Sequence, residues 1–487
     1  MIAIRHRRLT WGGLLLVAVL IRIAAALVWQ ARLGEGESFA FPDSESYWEL
    51  GRLISQGQKY EFADARAFRT PGYPLLLAPL FVVFGEEPPV LAARIVGSLL
   101  GGVVVFAVGV LTWKLFDERT GLIAALLCAL YPGAIAMSIL VLSEAIFCPL
   151  MVAQLWCWSA AVTAQSRRNS VLFASLAGIA AGLATLARPS WLLFTPLAVG
   201  LSLVIGKTRS THLRVGLAML MSLVMTMSPW WVRNAVVLHA FVPTTTQVGA
   251  SLYDGLHPGA TGASDMRFVP PVREAYRNEW NEQESSTEFE VALNRHFMQQ
   301  ASEFVQANPV TALRLAAIKF ARMWNVWPNE ASLRSWPMRV LVAIGYLPIL
   351  ISALLGAWKF ARDGWGYMLC LLPAGYFTLL HMIFVGSIRY RQSPMLLVGS
   401  PASYWAAGNR TFLARKHNRK ESFLGAAFTR FFRKASLLGR RRRRPDGCRC
   451  AVAGDAPPGR SCTCRSATCV LGALRRLACF GPLRPAR

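Results

Sequence analysis

The stretch WGGLLLVAVLIRIAAALVWQ, residues 11–30, contains a single charged residue, Arg22. An apolar run of this length matches the roughly 17–25 residues that a helix needs to cross the hydrocarbon core of a bilayer. Similar runs recur along the chain, in which 54% of the 487 residues are hydrophobic and 16% are charged. Soluble domains carry about a quarter charged residues. The sequence therefore predicts an all-α polytopic membrane protein.

Lys and Arg in the short connections predict the sidedness of the spans, because cytoplasmic loops are enriched in both. Placing the basic segment 5–8 inside also places the basic connections 165–170, 206–214 and 358–363 inside, with both termini. The predicted membrane is the inner (cytoplasmic) one. About ten spans are expected, at residues 9–29, 90–113, 120–141, 143–163, 171–187, 189–206, 214–232, 337–358, 366–386 and 392–408.

The spans divide the chain into four predicted parts. They are an N-terminal transmembrane module at 1–233 that includes a first outer loop at 31–89, a small extracytoplasmic domain at 234–336, C-terminal spans at 337–408, and an Arg/Cys-rich tail at 409–487. In the first outer loop, Tyr47, Leu50 and Ile54 recur at helical spacing, which predicts a short amphipathic helix at the membrane interface. The following segment RTPGYPLLLAPLFVVFG is apolar over only about a dozen residues, which favours a re-entrant or interfacial helix.

The basic tail dominates the net charge. Of the 52 Lys and Arg residues, 20 lie in 410–487 against three acidic residues, which gives this segment a net charge of +17. Such a segment can bind nucleic acid, but beside a membrane the simpler interpretation is a cytoplasmic contact with anionic membrane lipids. We therefore expect no nucleic-acid partner and a disordered cytoplasmic tail. Its CxC cysteine pairs lack the spacing and the histidines of a zinc site.

Ionisable residues that flank the outer ends of the spans are the candidate functional groups, because desolvating a charge at a membrane is costly. Four outward turns carry arginine where the positive-inside tendency predicts none. The candidates are Asp43, Arg69, Glu144, Arg188, Arg233 and Arg389.

Carboxylates among several arginines suit a substrate with a phosphate leaving group, since guanidinium groups bind phosphate oxygens in pairs. A carboxylate base can then remove the proton of an acceptor hydroxyl while the anomeric carbon is attacked from the face opposite the phosphate, which inverts that centre. Structural interpretations remain open for each residue. Asp43 can cap the interfacial helix, Glu144 can cap a span, and Arg188 can snorkel to the interface.

The order of several motifs resembles bacterial glycosyltransferases of the C superclass (GT-C), in particular protein O-mannosyltransferases and aminoarabinose transferases that use polyprenyl-phosphate sugars. The resemblance covers residues 1–408. It rests on PDSESYWELGRLISQGQKY (42–60), FRTPGYPLLLAPLFVVFG (68–85), AARIVGSLLGGVVVFAVG (92–109), GLIAALLCALYPGAIAMSILVLSEAIF (121–147), GLATLARPSWLLFTP (182–196), PWWVRNAVVLHAFVPTTTQVG (229–249) and SIRYRQSP (387–394).

The resemblance implies a GT-C-like helical bundle and a role for each matching residue. Asp43 matches the catalytic base of the first outer loop, and Glu144 matches an acidic position that supports the acceptor, a metal or the base. The implied substrate-binding residues, assigned to the lipid-linked phosphate or to the flank of the active site, are Arg69, Tyr73, Arg188, Arg233, Arg389 and Tyr390.

The partners implied are a polyprenyl-phosphate sugar donor and a glycan, lipid or protein acceptor. A divalent cation, Mg²⁺ or Mn²⁺, held by Asp43 and Glu144 is left open as a cofactor, because carboxylate oxygens suit these ions. Two alternatives to an enzyme also remain open. One is a secondary transporter or lipid flippase, and the other is a membrane scaffold with a nucleic-acid-binding tail.

Overall fold

The computed structural model of the chain describes residues 2–34, 39, 41–206, 208–280, 286–328, 335–360 and 365–406. These residues form α-helices with two short 3₁₀ turns and no strand. The helices are α1 (Ile2–Arg32), α2 (Pro42–Ser55), α3 (Gly72–Phe84), α4 (Val90–Leu115), α5 (Glu118–Leu130), α6 (Pro132–Ile139), α7 (Glu144–Val162), α8 (Arg167–Ala187), α9 (Phe194–Ile205), α10 (Arg209–Leu238), α11 (Val248–Gly255), α12 (Val269–Glu279), α13 (Ser286–Ala307), α14 (Pro309–Trp324), α15 (Trp336–Phe360), α16 (Trp365–Ile383) and α17 (Ile388–Ala406).

Six helices in the described part of the chain are long and apolar enough to cross a membrane, and a seventh span is possible if the bent pair α5–α6 counts as one. The six segments are Leu9–Arg32, Val90–Leu115, Glu144–Thr163, Arg167–Ala187, Arg209–Leu238 and Trp336–Trp358. The prediction of a multi-pass helical protein is confirmed, but the count of ten spans is not. Length is the reason for two of the missing spans, because the apolar helices Pro189–Ile205 and Tyr367–Ile383 are shorter than a full span. The third, predicted at 392–408, corresponds to α17, which is not among the candidate spans. The four predicted parts of the chain stay a prediction, and the tail at 409–487 lies outside the described residues.

The break between α5 and α6 explains the charged residue inside the first span. The two helices meet at an angle of 59° at Pro132. Pro132 has no N–H to donate to the carbonyl of Cys128 one turn earlier. Arg22, fully buried, donates to the Cys128 carbonyl (3.1 Å), to the Ala129 carbonyl (3.2 Å) and to Ser138 Oγ (3.2 Å). Backbone groups at membrane depth must find partners within the protein, and Arg22 supplies them.

Arg94 on α4 likewise donates to a main-chain carbonyl, at the other end of α6. Its Nη1 donates to the carbonyl of Ile139, the last residue of that helix, at 2.9 Å. Its Nε donates to Gln30 Oε1 on α1 at 2.9 Å. Both intramembrane arginines therefore hold α6 in place, and α6 leads directly into the turn that carries Glu144.

The first outer loop folds as its pattern predicts. Helix α2 buries Tyr47 and Leu50, and α3 is a short apolar helix that is too short to count as a span. Gly72, at the start of α3, lies against the end of α8, where a Cβ would come within 2.6 Å of the Ala187 amide nitrogen. The absence of a side chain at this glycine lets the loop approach the turn that carries Arg188.

Glu290 on α13 holds the loop between α2 and α3 against the segment between α10 and α15. Its carboxylate accepts from the amides of Arg66 (2.7 Å) and Ala67 (2.9 Å) and from the hydroxyl of Thr246. The Thr246 amide in turn donates to the Ala67 carbonyl at 3.0 Å. The loop that carries Arg69 is thus fixed by the segment between α10 and α15 as well as by the bundle.

We expect Arg22→Met to destabilise the protein by about 2–3 kcal/mol, because buried carbonyls that lose their donors stay desolvated and unpaired. Thermal unfolding of the purified protein in detergent measures the loss. Leu20→Met is the matched control, since Leu20 lies on the same helix with 54% of its surface exposed. Equal melting temperatures for the two variants would contradict the role given to Arg22.

Candidate active site

Asp43 lies in the first turn of α2 but does not cap it. The cap position is Phe41, and no side chain accepts a hydrogen bond there. The Asp43 carboxylate instead accepts from Arg69 Nη2 at 2.7 Å and from Arg389 Nη1 at 2.9 Å. Its side chain remains 35% exposed. The capping interpretation therefore does not apply to this side chain.

Arg69 reaches Asp43 from the segment that precedes α3. Its Nε donates to Ser46 Oγ at 3.1 Å, and Ser46 donates to the main-chain carbonyl of Asp43 at 2.7 Å. The guanidinium also lies over the rings of Tyr47 and Phe68, at 5.1 and 4.7 Å from their centroids. Cation–π contacts and two hydrogen bonds thus fix the orientation of this arginine.

Glu144, the first residue of α7, lies beneath this pair with a side chain that is 0% exposed. Its Oε1 accepts from Arg188 Nη1 at 2.7 Å and from Arg389 Nε at 2.7 Å, and its Oε2 accepts from Arg389 Nη2 at 3.3 Å. Arg188 ends α8 and is itself largely buried, so it does not snorkel. Glu144 therefore holds two arginines in place from below.

Arg389, in the first turn of α17, joins the two carboxylates, because its guanidinium bonds both Asp43 and Glu144. The cluster contains three guanidiniums and two carboxylates, and its net charge is +1. Burial raises the pKa of Asp43, but the Arg69 and Arg389 guanidiniums outweigh burial and hold this pKa below its ordinary value. Asp43 is therefore ionised at neutral pH.

A cavity of about 2050 Å³ opens above the cluster. Asp43, Arg69, Arg188 and Arg389 line it, whereas Glu144 does not. Its lining includes polar residues of α11 and of the connection before it, among them Thr244, Gln247 and Ser251. It also includes apolar residues of α1 and α15, among them Ile21, Ala25, Val28, Met338, Leu341 and Val342.

Tyr390 lines the cavity beside Arg188, whose guanidinium carbon lies 5.7 Å from the centre of the tyrosine ring. The ring of His381 stacks on Tyr390 with centroids 3.8 Å apart. Neither His381 nor Ser46 is among the candidate residues that the sequence predicts. A histidine within an apolar helix is a signal that would have marked His381.

Two predicted substrate-binding residues lie away from the cavity lining. Tyr73 is buried against Tyr47. Arg233 donates to the carbonyl of Arg66 at 2.7 Å and to that of Tyr60 at 3.2 Å, so it supports the first outer loop. The arrangement thus brings together Asp43, Arg69, Glu144, Arg188, Arg389 and Tyr390, and it separates Tyr73 and Arg233 from them.

The two carboxylates do not fit a divalent cation in this arrangement. Both oxygens of Asp43 and both oxygens of Glu144 already accept from guanidinium nitrogens, and the Arg389 guanidinium contacts both carboxylates. The net positive charge of the cluster favours an anion. Within the described residues, no group of three or more His, Cys, Asp or Glu side chains is placed to hold a metal ion.

Comparison with known proteins agrees with this architecture. Residues 69–232 match the dolichyl-phosphate-mannose-protein mannosyltransferase family. That segment includes Arg69, Glu144 and Arg188, whereas Asp43 and Arg389 lie outside it. None of the curated proteins matches the sequence.

The fold is similar to that of the archaeal oligosaccharyltransferase AglB from Archaeoglobus fulgidus. Its structure in complex with an inhibitory peptide and a dolichol-phosphate has a TM-score of 0.50 at 15% identity, over 88% of this chain and 54% of that chain. The apo structure gives 0.52 at 16% identity, over 89% and 55%. ArnT from Cupriavidus metallidurans bound to undecaprenyl phosphate gives 0.42 at 13% identity, over 82% and 79%. The chain thus shares the fold of the AglB structures, and it spans about half the length of AglB.

We expect Glu144→Gln to destabilise the protein by about 2–4 kcal/mol, because two largely buried guanidiniums lose their shared counter-charge. Asp43→Asn should cost less than half as much, since the Asp43 side chain is partly exposed and Arg389 keeps Glu144. Thermal unfolding of both variants in detergent compares them directly. A larger loss of stability in Asp43→Asn would show that the stability of the cluster does not depend mainly on Glu144.

Proposed function

We propose that the chain is an integral-membrane, inverting glycosyltransferase that moves a sugar from a polyprenyl-phosphate donor to a glycan, lipid or protein acceptor. The observation that carries the proposal is the Asp43–Arg389–Glu144 cluster with its two further arginines, beside a cavity that both polar and apolar residues line. The GT-C-like fold and the family match of residues 69–232 support it. Neither favours a transporter.

The donor's phosphate binds to the three arginines. Arg69, Arg188 and Arg389 all line the cavity, and the net charge of +1 attracts an anion. Guanidinium groups suit a phosphate because each offers two parallel N–H donors. The isoprenoid chain lies along the apolar lining from α1 and α15. The dolichol-phosphate in the archaeal structure supports this class of lipid.

Asp43 acts as the general base, because it is the carboxylate of the cluster that reaches the cavity. The acceptor oxygen bonds to the anomeric carbon, its proton passes to Asp43, and the bond from that carbon to the phosphate oxygen breaks. The arginines stabilise the charge on the departing polyprenyl phosphate. When phosphate oxygens draw the guanidiniums away from Asp43, its pKa rises towards that of a usable base.

Glu144 acts through the arginines, since its buried carboxylate has no surface on the cavity. It keeps Arg188 and Arg389 pointing at the phosphate and offsets part of their charge before the donor arrives.

The proposed location is the inner (cytoplasmic) membrane with the active site on the outer face. The Lys and Arg bias of the short connections supports this orientation, because it places the first outer loop opposite the basic segments.

Asp43→Asn should lower the turnover number for sugar transfer by about 10²–10⁴, the usual contribution of a general base, with normal expression and donor binding. The measurement is transfer from a polyprenyl-phosphate-linked sugar in proteoliposomes. Glu45→Gln is the comparison, because Glu45 lies two residues away, is exposed and lines the same cavity. Full activity in Asp43→Asn together with loss in Glu45→Gln would move the base to Glu45.

Transfer should also proceed without a divalent cation, because guanidiniums occupy the carboxylate oxygens that would bind one. Activity after treatment with EDTA should stay within about twofold of the untreated protein, a change of less than 0.5 kcal/mol in barrier. Loss of activity that added Mg²⁺ or Mn²⁺ restores would show that a divalent cation takes part in transfer. That result would overturn the metal-free form of the proposal.

A further inference from the structure

The connection between α16 and α17, residues 384–387, delivers Arg389 to the active site and is held from outside the bundle. Lys319 Nζ on α14 donates to the carbonyl of Ile383 at 2.6 Å. Arg322 Nε on the same helix donates to the carbonyl of Gly386 at 3.3 Å. The amide of Gly386 donates to the carbonyl of Gly262 at 3.0 Å. Extracytoplasmic residues thus fix both ends of the connection.

A buried lysine such as Lys319 is unusual at a position that serves only for packing. Its side chain is fully buried, and burial lowers its pKa to about 8, although Asp254 opposes this shift. Burying an ammonium group is costly unless hydrogen bonds compensate it. Here the Ile383 carbonyl at the end of α16 supplies that compensation.

Two glycines let the connection pack this closely. A Cβ at Gly386 would collide with the main chain of Lys319, and a Cβ at Gly255 would collide with the carbonyl of Phe384. The connection is therefore pressed between the end of α11 and the middle of α14. Both helices belong to the segment between α10 and α15.

Hydrogen bonds extend the restraint on Gly386 to Arg389, which lies three residues further along the chain. The amide of Arg389 donates to Ser387 Oγ at 3.4 Å, and the amide of Tyr390 donates to the Ser387 carbonyl at 3.1 Å. These bonds start α17 at Ile388 and fix the direction in which Arg389 leaves the helix. A shift at Gly386 therefore moves the guanidinium that joins the two carboxylates.

We propose that Lys319 and Arg322 are positioning residues through which the extracytoplasmic helices set the placement of Arg389. The consequence for catalysis rests on the proposed glycosyl transfer, in which Arg389 binds the donor phosphate. Arg322 also lines the cavity, so a molecule bound beside it contacts the same restraint. The extracytoplasmic segment thereby contributes to catalysis as well as covering the site.

Hydrogen exchange of the full chain in detergent tests the restraint without any activity. Lys319→Met keeps the apolar stem and removes the donor, and amide exchange in 384–390 should rise at least tenfold. Arg314→Met is the matched control, because Arg314 is exposed on the same helix and should change nothing. Unchanged exchange in 384–390 in Lys319→Met overturns the proposal. If that variant does not accumulate, Arg322→Met decides by the same measurement.

A double-mutant cycle tests whether the effect runs through Arg389. Lys319→Met should lower the turnover number for transfer tenfold or more in the wild-type background and less than twofold in an Arg389→Gln background. Equal losses in both backgrounds would mean a general structural effect and would overturn the positioning role. If the wild type transfers no sugar, the proposed function fails, and the exchange measurement still decides the restraint.

Discussion

The guanidinium of Arg389 bonds two carboxylates from different parts of the chain, and the candidate site depends on this contact. Asp43 comes from α2 and Glu144 from the start of α7, while Arg389 starts α17. Two like charges at the edge of a membrane would repel each other without a cation between them. The guanidinium fills that place with several directed donors, which a metal ion could not orient in the same way.

Buried arginines serve two purposes in this protein, and their partners tell them apart. Arg22 and Arg94 donate to main-chain carbonyls around α6 and so complete the backbone of a broken helix. Arg188 and Arg389 donate to a carboxylate beside a cavity. The first pair compensates for the proline break, whereas the second keeps positive charge available for a ligand. Buried arginines in this protein therefore have different roles that depend on their partners.

The segment between α10 and α15 contacts two parts of the site that are distant in the sequence. Glu290 holds the loop that carries Arg69, and Lys319 holds the connection that carries Arg389. Each contact is a charged side chain that binds main-chain groups, so it fixes position without adding charge to the cavity. The spans form the base of the site, and this segment sets the positions of Arg69 and Arg389.

The sequence by itself determined the membrane class, the short helix α2 and the set of charged residues at the outer ends of the spans. These features follow from the length of apolar runs, from helical spacing and from charge. Each can be recognised within a short stretch of sequence. The sequence could not give the number of full spans, because two apolar runs fold into helices, Pro189–Ile205 and Tyr367–Ile383, that are shorter than a full span. Only the tertiary structure decided which charges meet. Arg389 lies 245 residues from Glu144 along the chain, and no local pattern distinguishes it from Arg233, which turns to the loop backbone instead. The distinction arises from packing, because a charge is functional here only where helix ends from distant parts of the chain converge around a cavity.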